Sequence, residues 1–358
     1  MRAEIDAVGN VVGRYEGRTP HAPTLLIGSH IDTVRHAGQY DGTLGVVVGV
    51  QAVAELNARE ERLPFAIEVI AFGDEEGVRF PVTLTGSRAV AGILDPASLD
   101  VEDEDGVSLA EALRRFGCTL SDIPKIARDG RTILGYVEVH IEQGPVLEAE
   151  RLPVGIVTAI AGASRLRISV TGLAGHAGTV PMRLRRDALA AAAEMILSVE
   201  ALASETADLV ATVGQIEVPC GAVNVIAAEA LFTLDVRSPC DRVRLEALGR
   251  LRRAFETIAD QRGVSLAVES FYEEPAATCA PWLADVLAQA VARAGVQPLR
   301  LPSGAGHDGL AMVSLCPIAM LFVRCAGGVS HHPDESVAVA DVAVALDVLD
   351  RFIRGLAG

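Results

Sequence analysis

The stretch Leu25-Leu26-Ile27-Gly28 is unbroken in apolar character, shorter than a helix and without the alternation of a half-exposed strand. It reads as a strand buried on both faces, which belongs in a parallel sheet covered by helices. The run continues into Ser29-His30-Ile31-Asp32, and Tyr40-Asp41-Gly42 follows shortly after. In an open α/β sheet, chemistry gathers just beyond the carboxyl ends of strands. His30, Asp32 and Asp41 fall there, and imidazole with carboxylate is ligand chemistry for zinc or a similar divalent ion. Alone, a His-x-Asp pair is more often a satisfied surface pair, so the rest of the chain has to decide.

The same pattern recurs. Leu44 to Arg62 has apolar residues at helical spacing, and Phe65 to Phe72 is a second buried strand ending at Gly73-Asp74-Glu75-Glu76-Gly77. This is β-α-β with acidic residues after each strand. Arg2 to Ile5 and Val11 to Tyr15 read as strands joined by a turn at Gly9-Asn10. Ser108-Leu109-Ala110-Glu111 is a capping box opening a helix to Phe116. Tyr136 to Glu142 is a third strand ending near His140, and Val154 to Ile160 a fourth.

The character then changes. Arg165 to Thr171 alternates, Arg186 to Ala203 is an Ala-rich helix, Leu209 to Val218 and Ala230 to Arg237 are strands, Arg242 to Arg262 is a long helix, and Val264 to Phe271 is a strand. The order β-α-β-β-α-β predicts an inserted α+β domain over 163–273: a four-stranded antiparallel sheet with both helices on one face. The outer α/β domain, 1–162 and 274–358, resumes with a helix at Trp282 to Ala294, a strand at Ile318 to Val323, and a closing helix at Asp341 to Gly355 with Asp341 as N-cap.

Four strand ends of the outer domain thus carry His30 and Asp41, Glu75 and Glu76, His140, and the pair His331-His332. A shared sheet edge brings such positions together. Three imidazoles and two carboxylates match two metal ions with one carboxylate between them, leaving one Glu to handle protons. Each piece also has a plain reading: Asp74-Glu75-Glu76 as a solvated turn, His140 as a packed core histidine, His331-His332 as an exposed loop pair.

Several function classes are excluded or disfavoured. A net charge of −16 argues against nucleic acid as a partner. No apolar run is long enough to span a membrane and no leader opens the chain, so a cytoplasmic protein is expected. The six cysteines, Cys118, Cys220, Cys240, Cys279, Cys316 and Cys325, form no C-x-x-C pair and read as reduced thiols. The only lysine, Lys125, lies in a loop-like context, against Schiff-base chemistry. Gly304-Ala305-Gly306-His307-Asp308-Gly309 fits G-x-G-x-x-G, but no dinucleotide-binding unit follows it. There is no G-x-S-x-G elbow and no H-E-x-x-H.

Seven motifs in order resemble the carbamoylase-type amidohydrolases: Gly28-Ser29-His30-Ile31-Asp32-Thr33, Tyr40-Asp41-Gly42, Asp74 to Phe80, His140-Ile141-Glu142-Gln143-Gly144, Gly175 to Met182, Ser303 to Asp308, and Ser330-His331-His332-Pro333. These are the N-carbamoyl-L-amino acid hydrolases, β-ureidopropionases and allantoate amidohydrolases of the di-zinc aminopeptidase-like superfamily. The resemblance covers essentially the whole chain. It implies an α/β catalytic domain with two divalent metal ions, zinc or manganese, and an inserted lid that also forms a homodimer.

Carried over, His30 and His140 ligate different metals, Asp41 bridges them, Glu76 and His331 complete the shells, and Glu75 is the general acid/base. Asp32 orients His30, and His176 of the lid reaches the partner's site to stabilise an oxyanion. Asn224 and Arg237 hold the substrate carboxylate; Gln143 and His307 line the pocket. Read without the resemblance, Arg237 is a surface charge. Alignment on Ser330 and Pro333 selects His331 as ligand, with a swap to His332 open.

The implied substrate is a small acid bearing a carbamoyl group on nitrogen. The wording of Glu76 to Phe80 and Gly178 to Met182 favours allantoate. Two departures stand out. Arg35-His36-Ala37-Gly38 replaces a glycine pair, and the helix that precedes the first strand in such proteins is missing here. The rival readings are a di-metal aminopeptidase or dipeptidase, disfavoured by the Asp74 to Phe80 and His140 to Gly144 wording, and a non-catalytic relative, disfavoured by the intact ligand set.

Overall fold

A computed structural model describes all residues from Met1 to Gly358, which group into two compact units: Met1–Ile160 with Ala277–Gly358, and Ala161–Ala276. In the first unit, β1 (Arg2–Ile5) and β2 (Val11–Tyr15) form an antiparallel hairpin. There follow β3 (Thr24–His30), α1 (Thr43–Ala58), β4 (Ala66–Phe72), α2 (Thr85–Ala91), α3 (Leu109–Phe116), β5 (Ile133–Ile141) and β6 (Val154–Ile160).

The second unit contains β7 (Gly162–Thr171), α4 (Ala188–Glu205), β8 (Glu229–Ser238), α5 (Asp241–Arg262) and β9 (Ser265–Glu274). The first unit then resumes with α6 (Pro281–Arg293), β10 (Ile318–Val323) and α7 (Val339–Ala357).

The strands of the first unit form one sheet, in the order β1-β2-β4-β3-β5-β10-β6, with the short strands Ala277–Thr278 and Arg300–Ser303 both on β6. β4, β3, β5 and β10 run parallel, and antiparallel neighbours flank them on both sides. Every residue of β3, β4 and β10 is buried, as apolar runs without alternation require of a sheet covered on both faces. One face packs under α1, α6 and α7 through Ile27, Val48, Leu56, Val137, Leu287, Leu321 and Phe352; the other buries Leu26, Ile70, Tyr136, Met312 and Phe322. Gly45 is what lets α1 lie so close: a Cβ there would overlap the Val139 carbonyl.

Some sequence expectations need correction. α1 stops at Ala58, not Arg62, because the chain turns at Glu60 in a left-handed conformation, φ 53°. Asp341 is not the N-cap of α7. Ala338 is, and Asp341 in the first turn accepts from Arg324 Nε at 2.9 Å and Nη2 at 3.0 Å. The expected Ser108 cap of α3 forms, its hydroxyl accepting from Glu111 N at 3.2 Å.

In the second unit the sheet is antiparallel, with β7 between β8 and β9. The expected strand over Leu209 to Val218 is broken into Val210–Thr212 and Ile216–Glu217, both paired with β8. The pairing register slips by one residue across Val213-Gly214-Gln215, a bulge that interrupts the edge. α4 and α5 share one core with the inward residues of the sheet, among them Ile168, Phe232 and Leu234, so both helices lie on one face. A small ribbon, Gly175–His176 paired with Val225–Ile226, was not expected.

Candidate metal centre

The four parallel strands share one carboxyl edge, and the polar residues collect there. β3 ends on His30, β4 runs into Gly73-Asp74-Glu75-Glu76, β5 carries His140 at its penultimate position, and the loop after β10 brings Ser330 and His331. Asp41, 1 % exposed just before α1, lies at the middle. Its Oδ1 is 3.0 Å from His140 Nε2 and 3.4 Å from His30 Nε2; its Oδ2 is 3.1 Å from His331 Nε2, which in turn is 3.5 Å from Glu76 Oε1. His332 points elsewhere, to Asp334. Gly42 permits the packing, since a Cβ there would overlap the His30 ring.

The tautomers follow from the hydrogen bonds. His30 Nδ1 lies 2.8 Å from the Asp32 carbonyl and His140 Nδ1 2.9 Å from the Ile141 carbonyl. A carbonyl only accepts, so both Nδ1 atoms carry protons and both Nε2 atoms face inward, 3.4 Å apart. Asp41 Oδ1, wholly buried, receives no hydrogen bond. Converging nitrogen and oxygen lone pairs around a buried carboxylate call for positive charge. Two groups, His30-Asp41-His140 and Asp41-Glu76-His331, have ligand atoms close enough to hold an ion each, with Asp41 common to both. The donors present therefore fit two divalent ions.

The electrostatics say the same. Burial would raise Asp41, but the His140, His30 and His331 rings outweigh it and hold its carboxyl well below the ordinary carboxylate range. Burial disfavours a charged His30, yet Asp41, Glu75 and Asp308 raise it well above the usual imidazole value. Glu75 behaves differently from Asp41. Burial pushes its carboxyl well above the ordinary range, opposed by His30 and helped by Asp308 and Glu76. Two carboxylates side by side, one kept ionised and one kept basic, is the usual division between ligand and proton carrier.

The backbone is strained around the cluster. Asp74, Gln143 and His331 all sit in the left-handed region, φ 59°, 56° and 56°, each at a cost of about 1–3 kcal/mol.

The remaining expected site residues fall as follows. Asp32 does not orient His30 through its carboxylate, which is 3.9 Å from Nδ1; its backbone carbonyl does that. The carboxylate instead accepts from the backbone N–H of Glu75 at 3.1 Å and Glu76 at 3.0 Å, fixing the acidic loop. Gln143 and His307, expected along the substrate pocket, contact the ligand cluster itself. Gln143 Nε2 donates to Asp41 Oδ2 at 2.9 Å, and buried His307 packs edge-on to His140 at 4.4 Å between ring centres. Burial, then His140, keeps His307 neutral.

His176, Asn224 and Arg237 belong to the second unit. Gly178 N donates to His176 Nδ1 at 3.0 Å, leaving the proton of this exposed ring on Nε2. The Asn224 carbonyl accepts from Ala177 N at 3.0 Å. Arg237 donates to Asp235 through Nε at 2.8 Å and Nη2 at 3.0 Å, in place of the bare surface charge its sequence context suggested.

Sequence reasoning missed the supporting residues. Fully buried Asn10 accepts from Gly73 N at 3.1 Å and donates to the Gly86 carbonyl at 3.2 Å, pinning the acidic loop from the hairpin side. Glu138 accepts from Ser29 Oγ at 3.0 Å and Gly309 N at 3.2 Å. Asp308, wholly buried, is pushed well above the carboxylate range by burial and by Glu138. The one available signal was a carboxylate at Glu138 inside an apolar run.

The chain is 44% identical to an N-carbamoyl-L-amino acid amidohydrolase of Geobacillus stearothermophilus, over 98% of this chain and 86% of that protein. It is 40% identical to allantoate deiminase 1 of Glycine max, over 96% and 77%. An amidase of the hydantoinase/carbamoylase family from Burkholderia multivorans superposes with a TM-score of 0.93 at 33% identity, over 99% of this chain and 86% of that one. The family model for peptidase family M20/M25/M40 matches residues 2–355, and the chain belongs to that family.

Proposed function

We propose that this amidohydrolase cleaves the ureido C–N bonds of a small N-carbamoylated acid, consuming water and releasing ammonia, carbon dioxide and the amine. N-Carbamoyl-L-amino acids and allantoate both answer that description, and the names of the relatives support it. The observation that carries the reading is the convergence of His30, His140 and His331 on one buried carboxylate, Asp41, beside a separate basic carboxylate, Glu75.

The ligand atoms of His30 and His140 lie in one group with Asp41, so these two would hold one divalent ion together, not one each as the resemblance implied, while Glu76 and His331 would hold the other and Asp41 would face both. Two ions so placed polarise a carbonyl and acidify water. Glu75 takes a proton from the attacking water and returns it to the departing nitrogen. Asp32 holds Glu75 in register through its backbone. The Nε2–H of His176, contributed by a second copy, steadies the developing oxyanion. Asn224 and Arg237 bind the substrate carboxylate, which requires the Arg237 fork to share or leave Asp235. The six cysteines are unpaired, which suits a reducing compartment and a cytoplasmic home. No helix is long and apolar enough to cross a membrane.

The test is ammonia release from metal-reconstituted protein given allantoate, an N-carbamoyl-L-amino acid, N-carbamoyl-β-alanine and a dipeptide in parallel. Release from a ureido acid, abolished by chelator and restored by zinc or manganese, is expected. Cleavage of the dipeptide with no ammonia from any ureido acid would replace the proposal with a peptidase.

A further inference from the structure

Glu335 closes the loop that begins at Ser330, and no role for it follows from the sequence, yet it is 5 % exposed. A carboxylate this deep needs partners. Its Oε1 accepts from the backbone N–H of Tyr40 at 2.8 Å and of Asp41 at 3.1 Å. Its Oε2 accepts from the Ser330 hydroxyl at 3.0 Å. One side chain therefore ties the turn carrying Asp41 to the loop carrying His331, although Asp41 and Glu335 are 294 residues apart. The chain makes room for it at Gly38, where a Cβ would overlap the Glu335 side chain.

The Ser330 hydroxyl sharpens the point. It has one proton and faces two carboxylates, Asp41 Oδ2 at 3.1 Å and Glu335 Oε2 at 3.0 Å. Gln143 Nε2 donates to the same Ser330 oxygen at 3.2 Å and to Asp41 Oδ2 at 2.9 Å. When the hydroxyl proton goes to Glu335, Asp41 Oδ2 keeps a lone pair for whatever lies between it and His331. We infer that Glu335 is a positioning residue that sets the Asp41–His331 spacing and draws the Ser330 proton away from Asp41. This rests on the two-ion reading above. It gives the loop after β10 a second task besides presenting His331.

The variants separate this role from simple structural support. Glu335→Ala removes both the tether and the acceptor. Glu335→Gln keeps an oxygen for the two backbone N–H groups and offers an amide N–H to Ser330 Oγ, so the tether survives. Gly38→Ala leaves the carboxylate chemistry intact but pushes it out of place. Apo protein is titrated with Co2+ and followed by visible absorbance, with KM and kcat measured on the reconstituted enzyme.

Expected are two Co2+ per chain in the wild type, and one of the two weakened roughly 10–100-fold in Glu335→Ala and Gly38→Ala. Glu335→Gln keeps the tether but turns the Ser330 proton toward Asp41 Oδ2, so it should weaken the same ion by less than Glu335→Ala does; in the weakened variants kcat should fall with KM little changed. If Glu335→Ala does not fold, Gly38→Ala and Glu335→Gln carry the comparison. Unchanged Co2+ affinity and absorbance in folded Glu335→Ala or Gly38→Ala, with only a lower melting temperature, overturns the role and leaves the two-ion reading standing. A wild type that binds fewer than two ions removes that reading and the inference with it.

Discussion

At the scale of single residues, neighbouring carboxylates have opposite fates. Asp41 faces three imidazoles and stays ionised, whereas Glu75, beside Asp308 and Glu76, is driven up by burial. Replacing Glu75 by Gln keeps the shape and removes the exchangeable proton. Turnover should fall about 10²–10⁴-fold, the usual worth of a positioned acid/base group. Two ions should remain bound, because Glu75 is not needed to complete either ligand group around Asp41. Metal content and kcat of purified Glu75→Gln decide it; near-normal turnover would remove Glu75 from the chemistry. His30 and His140 stand out in the sequence because each sits where an apolar run stops, whereas Asp41, Glu76 and His331 lie in loops beyond the strands and are singled out by motif. Asp32 was placed correctly but given the wrong partner. Which of its own oxygens reaches His30 depends on a backbone turn that residue types do not encode.

At the scale of elements, the unbroken apolar runs were readable because burial on both faces leaves them no other use. Element ends were less so. α1 ends at a left-handed Glu60 and the strand after Leu209 breaks at a bulge, and neither carries a Pro or an unambiguous capping signal. The β1–β2 hairpin shows what this hides. Its turn residue Asn10 spends both ends of its amide on Gly73 and Gly86, so an edge hairpin holds the acidic loop. A Cβ on Gly86 would overlap Asn10 Oδ1. Asn10→Ala strands a buried N–H and a buried carbonyl, and Gly86→Ala pushes the amide aside. Each should cost about 1–3 kcal/mol in urea unfolding. Each should also lower kcat in the folded protein, because Gly73 leads directly into Glu75. Full activity at unchanged stability would show the hairpin to be a passive edge.

At the scale of the molecule, the chain separates its tasks. The metal-type ligands and Glu75 all lie in Met1–Ile160 and Ala277–Gly358, while His176, Asn224 and Arg237 lie in Ala161–Ala276. The β-α-β-β-α-β order exposed that division in the sequence, because alternation replaces unbroken apolar runs where a sheet is covered on one face only. What the second unit does for catalysis was not open to the same reasoning. His176 is exposed, and its only strong local signal is the flanking glycines. If it serves the other copy's site, two inactive variants must repair each other. In a mixed dimer of Glu75→Gln and His176→Ala, one site has an intact Glu75 on its own chain and an intact His176 from its partner. Random exchange of equal amounts makes half the dimers mixed with one good site each, so activity should return to about a quarter of wild type. The variants would be purified separately, unfolded to subunits, mixed and assayed for ammonia release. No recovery from a mixture that sediments as dimer would place His176 in service of its own chain, and the second unit would then act without a partner.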